Sequence, residues 1–128
     1  MEIVEYNGTT LAYIGDAVMS LLVREMLVAQ GFQKPKILQK KSEAWVSASA
    51  QANFLEQLVK ENFFNEEELA IVMRGRNAKT NSMAKNATMA AYKMATGLEA
   101  VFGYLQITKK TTRLLDLWNR IQKIGEEK

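Results

Sequence analysis

Residues 11–18 read Leu-Ala-Tyr-Ile-Gly-Asp-Ala-Val, and they lie in the helix on which the fold prediction depends. Thr9 or Thr10 can cap this helix, which we predict over about residues 11–29. Both faces of the helix are largely apolar, and such a helix is either central in the fold or shared with a second subunit. Asp16 is the exception, because it places a carboxyl group in the middle of one apolar face.

Helix signals recur along the rest of the chain, with Gly31 as a stop for the first helix and Pro35 in the first turn of the second. Asn65 followed by Glu68 resembles a capping box. The remaining predicted elements are helices over about 35–45, after Ser47 or Ser49, over about 66–74, over about 87–107 and after Thr111 or Thr112, with a polar basic loop over 75–86. We therefore expect one all-α domain over residues 1–128.

Composition narrows the chemistry that the chain can perform. The 128 residues include no Cys and no His, which excludes disulfides, thiol nucleophiles and the commonest general base and zinc ligand. Any bound metal is therefore expected to be a hard cation with oxygen ligands. The apolar runs are too short for a membrane span, and Met1-Glu2-Ile3 lacks the features of a signal peptide, so we expect a cytoplasmic protein without a membrane partner.

Positive charge is concentrated in two stretches that contain no acidic residue. One lies between Glu25 and Glu43, and the other lies between Glu68 and Glu99. Their basic residues are Lys34, Lys36, Lys40 and Lys41 in the first and Arg74, Arg76, Lys79, Lys85 and Lys93 in the second. Such stretches indicate either a polyanionic partner or simply a solvated face.

Glu99 is a second carboxyl group in an unusual position, on the long predicted helix among small and aromatic neighbours. An ionised carboxylate among apolar residues is costly unless it is paired or binds a metal. We therefore expect Asp16 and Glu99 to converge on one divalent cation. The alternative is a structural role, in which one of them caps a helix or pairs with Arg74 or Arg76.

The stretch 11–18 resembles the signature of the ribonuclease III family, whose core reads Leu-Glu-Phe-Leu-Gly-Asp-Ala-Val. The similarity is closer to its short subgroup, Mini-ribonuclease III, and extends over nearly the whole chain. The matching segments, in the same order, are 11–17, 46–48, 50–52, 74–79 and 96–100. This resemblance implies the helical bundle of the ribonuclease III endonuclease domain, assembled as a twofold dimer.

The sequence departs from the ordinary family pattern at two acidic positions, which are Ala12 and Thr96 here. Only Asp16 and Glu99 carry over, so the resemblance implies one metal site in each subunit. The subgroup also lacks the double-stranded-RNA-binding domain of ordinary ribonuclease III, and the chain likewise ends at Lys128. The catalytic domain itself is then expected to bind the RNA.

The activity that the resemblance implies is Mg²⁺-dependent cleavage of double-stranded RNA, with Mn²⁺ as a possible substitute and with 5′-phosphate and 3′-hydroxyl products. Asp16 and Glu99 would be the catalytic metal ligands. The expected substrate is a stem of the large-subunit (23S) ribosomal RNA precursor, which links the protein to ribosome biogenesis. The residues expected to bind RNA are Lys40, Lys41, Arg76, Asn77, Lys79, Thr80 and Lys85.

Two other functions are compatible with the residues. A non-catalytic helical RNA-binding module with a degenerate site would explain Ala12 and Thr96. It would not explain why Asp16 and Glu99 are both present. A helical adaptor for protein partners would explain the two apolar faces of the first helix but not the basic stretches.

Overall fold

The computed structural model describes residues 6–78 and 88–127, which form six α-helices. The helices are α1 (Gly8–Ala29), α2 (Pro35–Val46), α3 (Ala48–Lys60), α4 (Glu66–Arg76), α5 (Met89–Ile107) and α6 (Thr111–Glu126). None of the residues in those two ranges forms a β-strand. The all-α prediction is therefore confirmed for the described residues.

Helix α1 begins earlier than predicted, because Asn7 and not Thr9 or Thr10 is its cap. The Asn7 side chain accepts a hydrogen bond from the backbone N–H of Thr10 at 2.8 Å, and Asn is among the strongest N-cap residues. The predicted stop is confirmed, since Gly31 follows the helix with a φ of 101°, a conformation that favours glycine.

Helix α2 ends and α3 begins at Ser47, one of the two caps predicted for α3, and we call this junction the α2–α3 elbow. Ser47 ends α2 and caps α3, where its hydroxyl accepts from the backbone N–H of Ala50 at 3.2 Å. Trp45, just before the elbow, stacks on Phe54 with ring centroids 5.7 Å apart and meets Trp118 edge-on at 5.9 Å. Aromatic packing therefore fixes the elbow against α3 and α6.

Helix α4 carries the predicted capping box but is longer than predicted. Asn65 and Glu68 form two reciprocal hydrogen bonds across the first turn, in which the side chain of each accepts from the backbone N–H of the other. The prediction that a loop begins at residue 75 is wrong, because Gly75 and Arg76 are helical. Gly75 is a packing residue here, since an added Cβ would lie only 2.7 Å from the backbone oxygen of Thr96 on α5.

The starts of the last two helices also differ from prediction. Helix α5 begins at Met89, two residues after the predicted start, because Thr88 accepts from the backbone N–H of Ala91 at 3.0 Å. Thr111 and Thr112 do not cap α6. The cap position is occupied by Lys110, which makes no side-chain cap hydrogen bond and follows Lys109, a residue with positive φ.

Helix α5 is the centre of the bundle and packs against α1, α3 and α4. From Gly97 onward it is buried on nearly every side. Two glycines bring α1 into backbone contact with it. A Cβ on Gly15 would overlap the backbone oxygen of Glu99, and a Cβ on Gly103 would overlap the backbone oxygen of Leu11. Larger residues at either position would force the two helices apart.

The two apolar faces of α1 have different environments. One face is buried in the bundle and includes Leu11, Met19 and Val23, each fully inaccessible. The other face is open to solvent, with Tyr13 82% exposed and Leu21 58% exposed. Among the described residues, no helix is long and apolar enough to cross a membrane.

Candidate active site

The α1–α5 crossing brings the carboxyl groups of Asp16 and Glu99 together. Asp16 follows Gly15, whose backbone lies against that of Glu99, so the two acidic residues start from adjoining points of the two helices. The two carboxyl groups lie beside each other in one pocket, close enough for Asp16 to raise the pKa of Glu99. Two carboxyl groups that are distant in sequence therefore share one site.

Electrostatics at this site favour a positive ligand. Burial raises the pKa of Glu99 to about 8, with further contributions from the hydrogen bond and the negative charge of Asp16, while the Gln51 side chain acts in the opposite direction. Asp16 is exposed, whereas Glu99 is partly buried. A cation between the two groups would offset both their repulsion and the loss of water around Glu99.

The carboxyl pair lies in a pocket of about 320 Å³. The pocket is lined by Thr9, Ala12, Tyr13, Asp16, Gly75, Ala78, Tyr92, Lys93, Thr96 and Glu99. Ala12 and Thr96, the positions that are acidic in the ordinary family pattern, both line it. The Thr96 hydroxyl is already used within α5, where it donates to the backbone oxygen of Tyr92 at 2.9 Å.

The donor set fits a hard divalent cation with incomplete protein coordination. Asp16 and Glu99 supply carboxylate oxygens, which Mg²⁺ prefers, and Mg²⁺ usually retains several waters beside one or two carboxylates. No group of three or more potential metal ligands occurs within residues 6–78 and 88–127. The coordination positions that Asp16 and Glu99 do not fill would be open to water and substrate.

The residues predicted to bind RNA lie in different parts of the molecule. Lys40 and Lys41 are on α2, and the Lys41 ammonium lies 4.4 Å from the centre of the Phe32 ring. Arg76 and Asn77 are exposed at the end of α4, next to Ala78 of the pocket wall. Lys79, Thr80 and Lys85 fall outside the described residues.

Arg74 binds a backbone oxygen. The structural interpretation of Asp16 and Glu99 required one of these carboxyl groups to pair with it or with Arg76, or to cap a helix. Its guanidinium donates to the backbone oxygen of Tyr6 at 3.0 Å, which ties α4 to the segment before α1. The contact of Glu99 is instead with Asp16 and Gln51. The alternative in which Arg74 neutralises Glu99 is therefore not supported.

The sequence interpretation missed two residues of this site. Lys93 lines the pocket with both carboxylates, and its signal was its place in the second acid-free basic stretch. Gln51 is buried on α3 beside Glu99. It lies one turn before Phe54 and Leu55 on the apolar face of its helix, and a polar residue at such a spacing was a detectable signal.

Comparisons with known proteins show the family and the fold to which the chain is similar. The Ribonuclease III domain family matches residues 9–110. A protein of Enterococcus faecalis named Mini-ribonuclease 3 is 42% identical over 123 residues, which cover 95% of this chain and 93% of that protein. A Mini-ribonuclease 3 of Brevibacillus brevis is 46% identical over 111 residues, covering 87% and 81% of the two chains. A crystal structure of a Fusobacterium nucleatum protein superposes with a TM-score of 0.84 at 30% identity and covers 94% of this chain and 97% of that one.

Proposed function

The chain belongs to the ribonuclease III family and is an endoribonuclease, and we propose that it cleaves double-stranded RNA with Asp16 and Glu99 as the ligands of a catalytic divalent cation. The observation that carries the proposal is the contact between these two carboxyl groups in an open pocket. A non-catalytic module would have no need to hold two acidic groups together at the cost of their mutual repulsion.

Asp16 and Glu99 would hold Mg²⁺, with Mn²⁺ as a substitute. The bound ion would supply a water molecule of lowered pKa and positive charge for the scissile phosphate. Lys93, on the same pocket wall, would attract the phosphate without taking part in proton transfer. The expected products carry a 5′-phosphate and a 3′-hydroxyl group.

Basic and polar side chains outside the pocket would bind the duplex through its backbone. Double-stranded RNA is recognised mainly by shape, through phosphates and 2′-hydroxyl groups. Arg76 and Asn77 are suited to this role because they are exposed beside the pocket wall. The remaining residues that we propose for the RNA surface are Lys40, Lys41, Lys79, Thr80 and Lys85.

We propose a twofold dimer for the complete enzyme, because a duplex has two strands to cut. An open apolar surface supports this proposal. It is lined by Tyr13, Ile14, Ala17, Val18, Leu21, Leu22 and Leu114, together with Gln106 and Asp16. Since Asp16 borders both this surface and the carboxylate pocket, a subunit that covers the apolar surface would adjoin the active site.

The physiological substrate that we propose is a stem of the 23S ribosomal RNA precursor in the cytoplasm. The support is the similarity to proteins named Mini-ribonuclease 3 and the resemblance of the sequence to that subgroup. The proposal makes the enzyme a participant in ribosomal RNA processing and ribosome biogenesis.

The proposed function is tested with a long RNA duplex incubated with Mg²⁺ or with EDTA. We expect wild-type protein to cut only with Mg²⁺. Asp16→Asn should lower the rate at least ~100-fold, because it removes one charged ligand, while its duplex affinity in EDTA stays within about twofold of the wild-type value. Asp116→Asn on α6 is the matched control, since Asp116 is exposed and does not line the pocket.

The outcomes separate the three functions. Cutting by wild-type protein and by Asp116→Asn, but not by Asp16→Asn, supports the endoribonuclease. Duplex binding without cutting by wild-type protein would favour the RNA-binding module. Neither binding nor cutting would favour the protein adaptor.

A further inference from the structure

Gln51 and Glu68 are the two polar or charged side chains that are almost fully buried among the described residues, each 2% exposed. For Glu68 the structure supplies a complete explanation. Its carboxylate accepts from the backbone N–H of Asn65 at 3.0 Å and from Arg113 at 2.7 and 2.8 Å, which fixes the start of α4 and attaches α6. For Gln51 the structure explains the amide nitrogen but not the amide oxygen.

The Gln51 amide links the α2–α3 elbow to the active site. Its Nε2 donates to the backbone oxygen of Val46 at 3.0 Å, at the end of α2. The same side chain lies beside the Glu99 carboxyl group, where it lowers the pKa of that group and so favours the ionised form. Because an amide nitrogen carries two hydrogens, one can serve each acceptor.

No structural role explains the oxygen atom of the Gln51 amide. Gln51 Oε1 is buried and finds no hydrogen-bond partner in the part of the chain that the structure describes. Leaving a buried acceptor unpaired is costly, and an apolar side chain of similar length would avoid that cost. The fold uses one N–H of this amide, at Val46, and the second N–H remains available to Glu99.

We propose that Gln51 is a positioning residue, which holds the Glu99 carboxylate in the orientation that lets it bind a divalent cation together with Asp16. This inference rests on the proposed function, because it assumes that the two carboxylates are metal ligands. Groups that hydrogen-bond to metal ligands fix ligand orientation, and their loss lowers metal affinity by roughly 10- to 100-fold. Gln51 acts through Glu99 and needs no contact with RNA.

The test measures Mn²⁺ binding to the RNA-free protein by electron paramagnetic resonance titration, with Gln51→Met as the main variant. Methionine keeps the length of the side chain and removes both hydrogen-bond donors. We expect the Mn²⁺ dissociation constant to rise by about 10-fold or more. Duplex affinity in EDTA should stay within about twofold of the wild-type value, because phosphate contacts carry that affinity.

The matched control is Gln57→Met, which lies on the same helix. Gln57 also uses its Nε2 as a donor, to the Glu61 carboxylate at 3.1 Å, but it is not among the groups that shift the pKa of Glu99. It should leave Mn²⁺ affinity unchanged. Gln51→Leu is a second variant, which removes the donors without adding charge, and we expect a similar loss. It also replaces Gln51→Met should that variant fail to fold.

The results are read against wild-type cleavage of the duplex in Mg²⁺. If the wild-type protein cuts and binds Mn²⁺ while Gln51→Met or Gln51→Leu binds Mn²⁺ as tightly, the positioning role is overturned and the proposed function stands. If the wild-type protein neither cuts nor binds Mn²⁺, the proposed function itself fails and this inference fails with it. Weaker Mn²⁺ binding by the Gln51 variants alone, at retained duplex affinity, supports the inference.

Discussion

Gly15 is the residue at which the backbone of α1 touches that of α5. Helix propensity alone predicts that Gly15→Ala would stabilise the protein by about 1 kcal/mol. We expect the opposite sign, a loss of about 3 kcal/mol or more, because the new Cβ overlaps the backbone oxygen of Glu99, which cannot rotate away. Urea unfolding of the two proteins measures the difference. Ala17→Gly, at an exposed site on the same helix, measures the effect of helix propensity alone on stability. Any stabilisation by Gly15→Ala would contradict the close contact between the two helices.

At the residue scale, sequence reasoning could find the acidic groups but not their surroundings. Asp16 and Glu99 were recognisable because each interrupts an apolar helical pattern. Their direct contact depends on the separation of two helices, which the sequence does not report. The role of Gln51 depends in the same way on contacts between α3, the elbow at Val46 and α5.

At the element scale, helix ends were predictable where a side chain itself closes the helix. The Asn65–Glu68 capping box and the Ser47 cap are of this kind. Prediction failed where tertiary contact decides the end. Gly75 has the composition of a stop, yet it stays helical because its missing side chain lets α4 approach α5.

The start of α4 provides a prediction about stability and pH. Burial tends to raise the pKa of Glu68, but the hydrogen bonds from Arg113 and from the Asn65 backbone outweigh it, so the pKa lies below its ordinary value. A carboxyl group with a lowered folded-state pKa contributes stability above its unfolded pKa, and this contribution is lost as pH falls through the folded value. Glu68→Gln should therefore cost about 2–4 kcal/mol near pH 7 and much less in strong acid.

Urea unfolding of wild-type protein and Glu68→Gln, measured from about pH 7 down to strongly acidic pH, tests the prediction. The matched control is Glu67→Gln, whose exposed carboxylate lies 3.7 Å from the Lys110 ammonium. An exposed pair of this kind should contribute less than about 1 kcal/mol. A Glu68→Gln penalty that stays constant down to strongly acidic pH would show that charge is not its source.

At the scale of the whole molecule, the open apolar face of α1 predicts self-association. We expect Leu21→Asp to weaken dimerisation at least ~10-fold, because it would bury an unpaired charge in the apolar contact. Analytical ultracentrifugation over a concentration series measures the change. Val59→Asp on α3 is the matched control, since Val59 is 46% exposed and lies outside the apolar surface that we assign to the dimer. A monomeric wild-type protein, or equal effects of both variants, would exclude this face as the interface.

The sequence indicates that α1 has two apolar faces but does not determine which of them is buried in the core of the subunit. That choice follows from Gly15 and Gly103, which turn one side of α1 toward α5 and leave Tyr13 and Leu21 in solvent. Periodicity identifies the faces of a helix, and only packing assigns each face to a partner.

The backbone contact between α1 and α5 also bears on how the chain can diverge. Main-chain atoms set the separation of Asp16 and Glu99, since Gly15 lies directly against the carbonyl of Glu99. Substitutions elsewhere in the interior can change side-chain volumes while the two helices keep their spacing. Sequence drift in the core is then compatible with an unaltered acidic pair, provided that both glycines are retained.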